Sequence, residues 1–243
     1  MAIVRQLIGY RTGGEAVARK QKGAAERRSR HWLQVLVNQR PDAVDPLLLR
    51  SVGAPPVSSV QWLSPLQADG YAEYSDADFL RRLGCPTLAY PLECFWPKGG
   101  PEWDGLAKTS DGRLVLVEAK AHIPEAVSSP TGATEPAASI IRKSLDDTKT
   151  FLGSTAPCDW ATAFYQYTNR LAHLYFLREL NRQPAFLVFI YFTHAPDVPD
   201  APSEEEWRGA LRLLHSYIGV GHNRLSPFVV DLFVDARQLA PAA

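Results

Sequence analysis

Residues Phe186 to Thr193 form a nearly continuous apolar run, and no other feature restricts the fold as much. A strand with one wet face alternates apolar and polar residues; a run apolar at nearly every position marks a strand buried on both faces. Such a strand sits inside a sheet covered by helices on both sides. The segments around it supply those helices. Helical spacing is read at 24–38 (Trp32, Leu33, Leu36, Val37), near Pro46 to Arg50, over Ala138 to Leu152 and over Trp160 to Leu180. Ser75 or Asp76 caps a short helix that Gly84 stops, and Ser203 with Glu206 forms a capping box opening a helix to about Ile218. Further strands are expected at Leu88 to Trp96 (an edge or bulged strand, given Pro91), Trp103 to Lys108, Arg113 to Lys120 and Phe228 to Val234. Gly53 to Pro65, 124–137 and 196–202 read as turns and loops. This order predicts one mixed α/β domain over residues 1–243: a basic helical N-terminal extension at 1–60, a core at about 70–195, and a C-terminal helix and strand at 196–243.

Charge and cysteine content narrow the partners. The formal net charge is zero, yet residues 1–40 carry nine basic side chains against Glu15 and Glu26, a local +7 balanced by an acidic remainder. A basic arm of this kind suits a polyanion, because neutralising phosphates gives sequence-independent affinity; a solvated helix surface is the other reading. No apolar run approaches the ~20 residues that span a bilayer, so no membrane association is expected. Cys85, Cys94 and Cys158 are odd in number and show no CxxC spacing, which fits buried thiols in a reducing cytoplasm.

The chemistry is concentrated in Pro101-Glu102-Trp103-Asp104-Gly105 and Leu114-Val115-Leu116-Val117-Glu118-Ala119-Lys120. Side chains alternate faces along a strand, so Leu114, Leu116, Glu118 and Lys120 share one face and Val115, Val117 and Ala119 the other. The strand is apolar on both faces and then abruptly charged on one. A carboxylate and an ammonium there are costly to bury unless they serve each other, a metal or a ligand. Ser110-Asp111-Gly112 fits a three-residue hairpin loop with Gly in the left-handed position, which pairs Thr109 with Arg113 and sets Asp104 opposite Glu118. Opposed carboxylates about 5 Å apart repel unless a cation lies between them or one takes a proton, and Mg²⁺ suits that position. The same register faces Glu102 with Lys120. A two-residue loop or a bulge would shift it.

Asp104 with Glu118-Ala119-Lys120 resembles the D…(D/E)xK signature of the PD-(D/E)xK, or restriction-endonuclease-like, nucleases. The order of elements over about 70–195 is similar to that superfamily's αβββαβ core, a mixed central sheet flanked by helices. Pro101 stands three positions before Asp104 rather than next to it, a variation that superfamily tolerates. More narrowly, Phe95-Trp96-Pro97, Trp103-Asp104-Gly105, Glu118-Ala119-Lys120-Ala121-His122 and Asn169-Arg170-Leu171-Ala172-His173 resemble a bacterial branch of it with no settled substrate.

The resemblance implies a cytoplasmic nuclease that hydrolyses phosphodiester bonds, in DNA first of all. Asp104, Glu118 and the Ala119 carbonyl would ligate Mg²⁺ or Mn²⁺, and Lys120 would orient or deprotonate the attacking water. Glu73, or in its place Glu93, would add a carboxylate. Related nucleases often dimerise to cut both strands, which leaves a homodimer open. The alternative class is a nucleic-acid-binding or assembly module on the same scaffold without turnover.

Helix 160–180 adds Gln166, Asn169, Arg170 and His173 at i, i+3, i+4 and i+7, one stripe of hydrogen-bonding side chains. Facing the site, it would bind substrate phosphate or base edges; facing solvent, it would be a wet surface. His122 follows the motif lysine by two. His215 and His222 lack companions at zinc-ligand spacing. The absence of GxxxxGK[ST] and GxGxxG leaves nucleotide-driven chemistry without support.

Overall fold

A computed structural model describes residues 22–239. In chain order its elements are α1 (Arg28–Asn38), α2 (Asp45–Ser51), β1 (Val60–Ser64), α3 (Asp76–Arg82), α4 (Leu92–Phe95), β2 (Gly105–Thr109), β3 (Leu114–Lys120), α5 (Ala137–Leu152), α6 (Tyr165–Tyr175), β4 (Ala185–Thr193), α7 (Glu204–Ile218) and β5 (Val229–Asp235). A π-helical turn, Phe176–Leu180, extends α6.

The five strands form one open sheet in sequence order, β1-β2-β3-β4-β5. The first three pair antiparallel, and β3–β4 and β4–β5 pair parallel. Every residue of β4 is buried, as its apolar run demands. The two faces feed two separate cores. Leu114 and Leu116 pack with Phe189, Tyr191 and side chains of α3 to α7. Val115, Val117 and Ala119 pack with Val188, Ile190 and Trp32, Leu33 and Leu36 of α1. The result is helices on both faces of a mixed sheet, an α/β architecture.

The turn chemistry of the hairpin acts as the loop residues imply. Gly112 has φ +93°, Thr109 N–H donates to the Arg113 carbonyl, and Gly105, Leu106, Ala107 and Lys108 stand opposite Val117, Leu116, Val115 and Leu114. The capping box of α7 is also present, with Ser203 and Glu206 exchanging backbone and side-chain hydrogen bonds.

Three expectations are corrected. Leu88 to Trp96 is not a strand: Pro91 precedes the short helix α4, and Leu92, Phe95 and Trp96 point into the core. An apolar run this short carries no period that separates strand from helix. The first strand is instead Val60–Ser64, inside the stretch read as turns; among the described residues it is an edge strand, bulged between Trp62 and Ser64 and paired with β2. Finally, α1 is no appendage, because its apolar side covers one sheet face and completes the second core. The basic side chains at positions 5–20 lie outside the described residues. Among the described cysteines Cys94 is exposed, and Cys85 and Cys158 are half-buried free thiols rather than core groups. Among the described residues no helix is long and apolar enough to cross a membrane.

Candidate active site

The centre of the site is the end of the β2–β3 hairpin. One step beyond the last pair, Gly105 with Val117, Asp104 comes opposite Glu118, and the Ala119 N–H donates to Asp104 Oδ2 at 2.9 Å. A residue's N–H and C=O leave a strand on the same side, so the Ala119 carbonyl is also directed toward Asp104. Glu118 is 1% exposed and lies on the Leu114/Leu116 face, so it cannot draw on water for its charge.

Two cations stand in for that water. Arg170 Nε and Nη2 reach Glu118 Oε2 at 2.7 and 2.6 Å, and Lys120 Nζ is paired with Glu118 Oε1. Burial works against ionisation of Glu118, but the charges of Arg170 and Lys120 outweigh it and hold the carboxyl below its ordinary range. Lys120 is held from its other side by Gln166 Oε1 at 2.9 Å.

Asp104 is in the opposite condition. It keeps an edge on a cleft but is enclosed by protein elsewhere. Burial first, and the nearby Glu118 charge second, push its carboxyl up to about 7 against the counteracting effects of Lys120, the Ala119 N–H and Arg170. A raised carboxyl beside a deprotonated one is the signature of a cation deficit. In metal-free protein the folded chain keeps the Asp104 proton that the unfolded chain has already released, so stability falls as pH rises between 3.8 and about 7. Thermal melts in EDTA across that window are expected to show a shallower fall for Asp104→Asn than for wild type; superimposable slopes would mean that Asp104 ionises at no cost.

An open cleft of about 480 Å³ borders Asp104, lined among others by Glu73, Glu102, Gln166, Asn169 and Arg170. Glu73 reaches it because Tyr74 pairs with Trp103 in an isolated antiparallel bridge, beside Asp104. Its charge is already answered, however, by Lys22 at 3.0 Å and Arg30 at 3.5 Å. Glu93 is exposed on α4 and does not line the cleft.

The polar stripe of α6 faces inward, and its members separate. Gln166 supports Lys120. Arg170, 3% exposed, spends its donors on Glu118, on the Glu102 carbonyl (2.8 Å) and on Asn169 Oδ1 (3.0 Å), and its guanidinium lies 4.7 Å from the Trp103 ring centroid. It is a partner of the motif carboxylate rather than a free hand for substrate. His173 is corrected more sharply. It is 1% exposed, its Nδ1 bonds the Asn169 carbonyl, and Phe79, Phe95, Trp96 and Trp103 surround it. Burial and then the Arg170 charge push its pKa down to about 3, so it is a neutral core histidine without access to a substrate. Glu102 does not engage Lys120 as the hairpin register suggested; its Oε2 takes Lys22 at 2.6 Å.

His215 and His222 line a separate cavity of about 390 Å³, where Tyr167 Oη and His215 Nε2 are 2.7 Å apart. The described residues contain no cluster of three or more His, Cys, Asp or Glu side chains placed for a metal. A divalent ion at the hairpin would therefore rest on two carboxylates and a carbonyl, completed by water or substrate oxygens. That donor set suits Mg²⁺ or Mn²⁺, which retain several such oxygens. The links from Arg170 to Glu118 and from Lys22 to Glu73 and Glu102 span 52, 51 and 80 residues, and no local pattern announces them. Compared with known proteins, the chain matches no family model, no curated protein and no solved structure.

Proposed function

We propose that this chain is a metal-dependent nuclease that hydrolyses phosphodiester bonds, in DNA first of all, on a restriction-endonuclease-like scaffold. The observation that carries the reading is the opposed Asp104 and Glu118 at the end of a buried hairpin, with Lys120 beside them and Asp104 short of a cation. What supports the scaffold is the order α1 and α2, three antiparallel strands, α5 and α6, then a parallel β4, with β1 in the place of the expected 88–96 strand and the short helices α3 and α4 inserted between β1 and β2.

Asp104, Glu118 and the Ala119 carbonyl are the groups that would hold Mg²⁺ or Mn²⁺. Such an ion supplies positive charge to a phosphoryl oxygen and acidifies a bound water. Lys120, fixed by Glu118 and Gln166, directs its ammonium at the attacking water and offsets the charge that grows on the phosphoryl oxygens. Water adds to phosphorus, the bond to the departing sugar oxygen breaks, and that oxygen collects a proton. Arg170 keeps Glu118 ionised and in place.

One observation favours a second reading, a nucleic-acid-binding or assembly module without turnover. Both Glu118 oxygens are already charge-paired, which is what a purely structural network looks like. Cleavage of plasmid, linear and single-stranded DNA and of RNA, with Mg²⁺, Mn²⁺ or EDTA, separates the two. The nuclease reading expects metal-dependent cleavage by wild type that Asp104→Asn loses. Salt-sensitive DNA binding with no cleavage under any metal would support the second.

A further inference from the structure

The acidic half of the cleft is answered by the chain's own N-terminal side. Lys22 Nζ lies between two carboxylates, 2.6 Å from Glu102 Oε2 and 3.0 Å from Glu73 Oε2. Glu73 is 7% exposed along its side chain and Lys22 only 18%, so this is no pair of surface side chains meeting in open water. The backbone that delivers the lysine is tied down on two sides. Gly23 N–H donates to the Gly70 carbonyl, Arg30 Nη2 donates to the Lys22 and Gly23 carbonyls, and Gln34 donates to Gly23 and accepts from Ala25. A strap held this way has already lost the freedom that makes an exposed lysine a weak partner.

The position matters because Glu73 is next to Asp104 across the Tyr74–Trp103 bridge, and both line the same cleft. Two carboxylates beside an ion-binding pair would ordinarily ask for a second divalent ion. We propose that Lys22, the cation shared by Glu73 and Glu102, acts with Arg30 on Glu73 as resident counter-charge and restricts the cleft to a single divalent-ion position, at Asp104 and Glu118. The part concerning Asp104 and Glu118 rests on the function proposed above; the part concerning Glu73 and Glu102 does not. Lys22 thereby sets the cation stoichiometry of the site while leaving Asp104 open.

The test counts Mn²⁺ bound per full-length chain, by calorimetry and by electron paramagnetic resonance of free Mn²⁺. Wild type is expected to take one equivalent, Lys22→Met a second and weaker one, and Lys22→Met with Glu73→Gln one again. Equal counts in wild type and Lys22→Met, or two equivalents in wild type, would overturn the inference. No equivalent in wild type but one in Lys22→Met would remove the ion from Asp104 and Glu118 and leave the role of Lys22 intact. If Lys22→Met does not fold, Lys22→Gln removes the charge while keeping hydrogen-bond donors, and the same counts decide.

Discussion

Lys120→Ala is expected to slow phosphodiester hydrolysis by about 10³-fold, the scale on which one oriented charge or proton-transfer group acts. The ammonium is the more exposed of the two cations paired with Glu118, and it lies beside Gln166, which lines the cleft. Arg170 is 3% exposed and its donors are taken by Glu118, Asn169 and the Glu102 carbonyl, whereas the Lys120 side chain is 12% exposed and is held by the Glu118 carboxylate and the Gln166 amide. Removing it takes away the group that offsets charge on phosphorus, but leaves Asp104, Glu118 and Ala119 where they are. Mn²⁺ affinity should therefore stay level or rise, since a competing cation has left Glu118. That split between rate and metal affinity distinguishes a lysine acting on the substrate from one that merely stabilises the fold. Single-turnover cleavage and Mn²⁺ titration of both proteins give the two numbers. A Lys120→Ala enzyme that cleaves at the wild-type rate would place the chemistry elsewhere.

Arg170→Ala is expected to destabilise the protein by about 3–5 kcal/mol, the cost of leaving a buried charge without its partner. For a chain of this length that corresponds to a fall in Tm of roughly 10 °C. The argument is one of accounting for donors. Nε and Nη2 serve Glu118, Nη2 also serves the Glu102 carbonyl, Nη1 serves Asn169, and the Trp103 ring covers the guanidinium face. Of these partners Glu118, at 1% exposure, has no solvent to turn to instead. Arg170→Lys should recover only part of the loss, because a point ammonium does not reproduce the planar fork. The informative partner is Glu118→Gln: in the Arg170→Ala background it removes a buried charge that Lys120 alone then answers, so the double variant should be more stable than Arg170→Ala alone. Urea unfolding of the four proteins measures the cycle, and an Arg170→Ala protein within 1 kcal/mol of wild type would show that Glu118 does not depend on it.

Arg170 illustrates how much of the polar stripe of α6 is legible from spacing and where spacing stops. Helical spacing correctly put Gln166, Asn169, Arg170 and His173 on one side, but spacing cannot say which way a side looks. The stripe turned inward, so Gln166 and Arg170 became supports for Lys120 and Glu118, while His173 was enclosed by aromatic rings. The same limit explains Glu73. The residue lines the cleft, but its ion partners Lys22 and Arg30 come from a strap and helix 51 and 43 positions earlier in the chain.

What the amino-acid order determined alone is what short-range physics decides. Gly112 set the hairpin loop, the loop set the register, and the register brought Asp104 opposite Glu118. Alternation placed Leu116 and Val117 in different cores, and Ser203 with Glu206 opened α7. Each is settled within one hairpin, one strand or one helix turn, where backbone geometry leaves few outcomes. Tertiary structure alone decided that Val60–Ser64 is a strand and Leu92–Phe95 a helix, that α1 closes a core, and that Arg170 and Lys22 answer the buried carboxylates. These depend on which distant surfaces meet when the sheet is covered, a balance of many weak packing terms that leaves no mark on any short stretch of sequence.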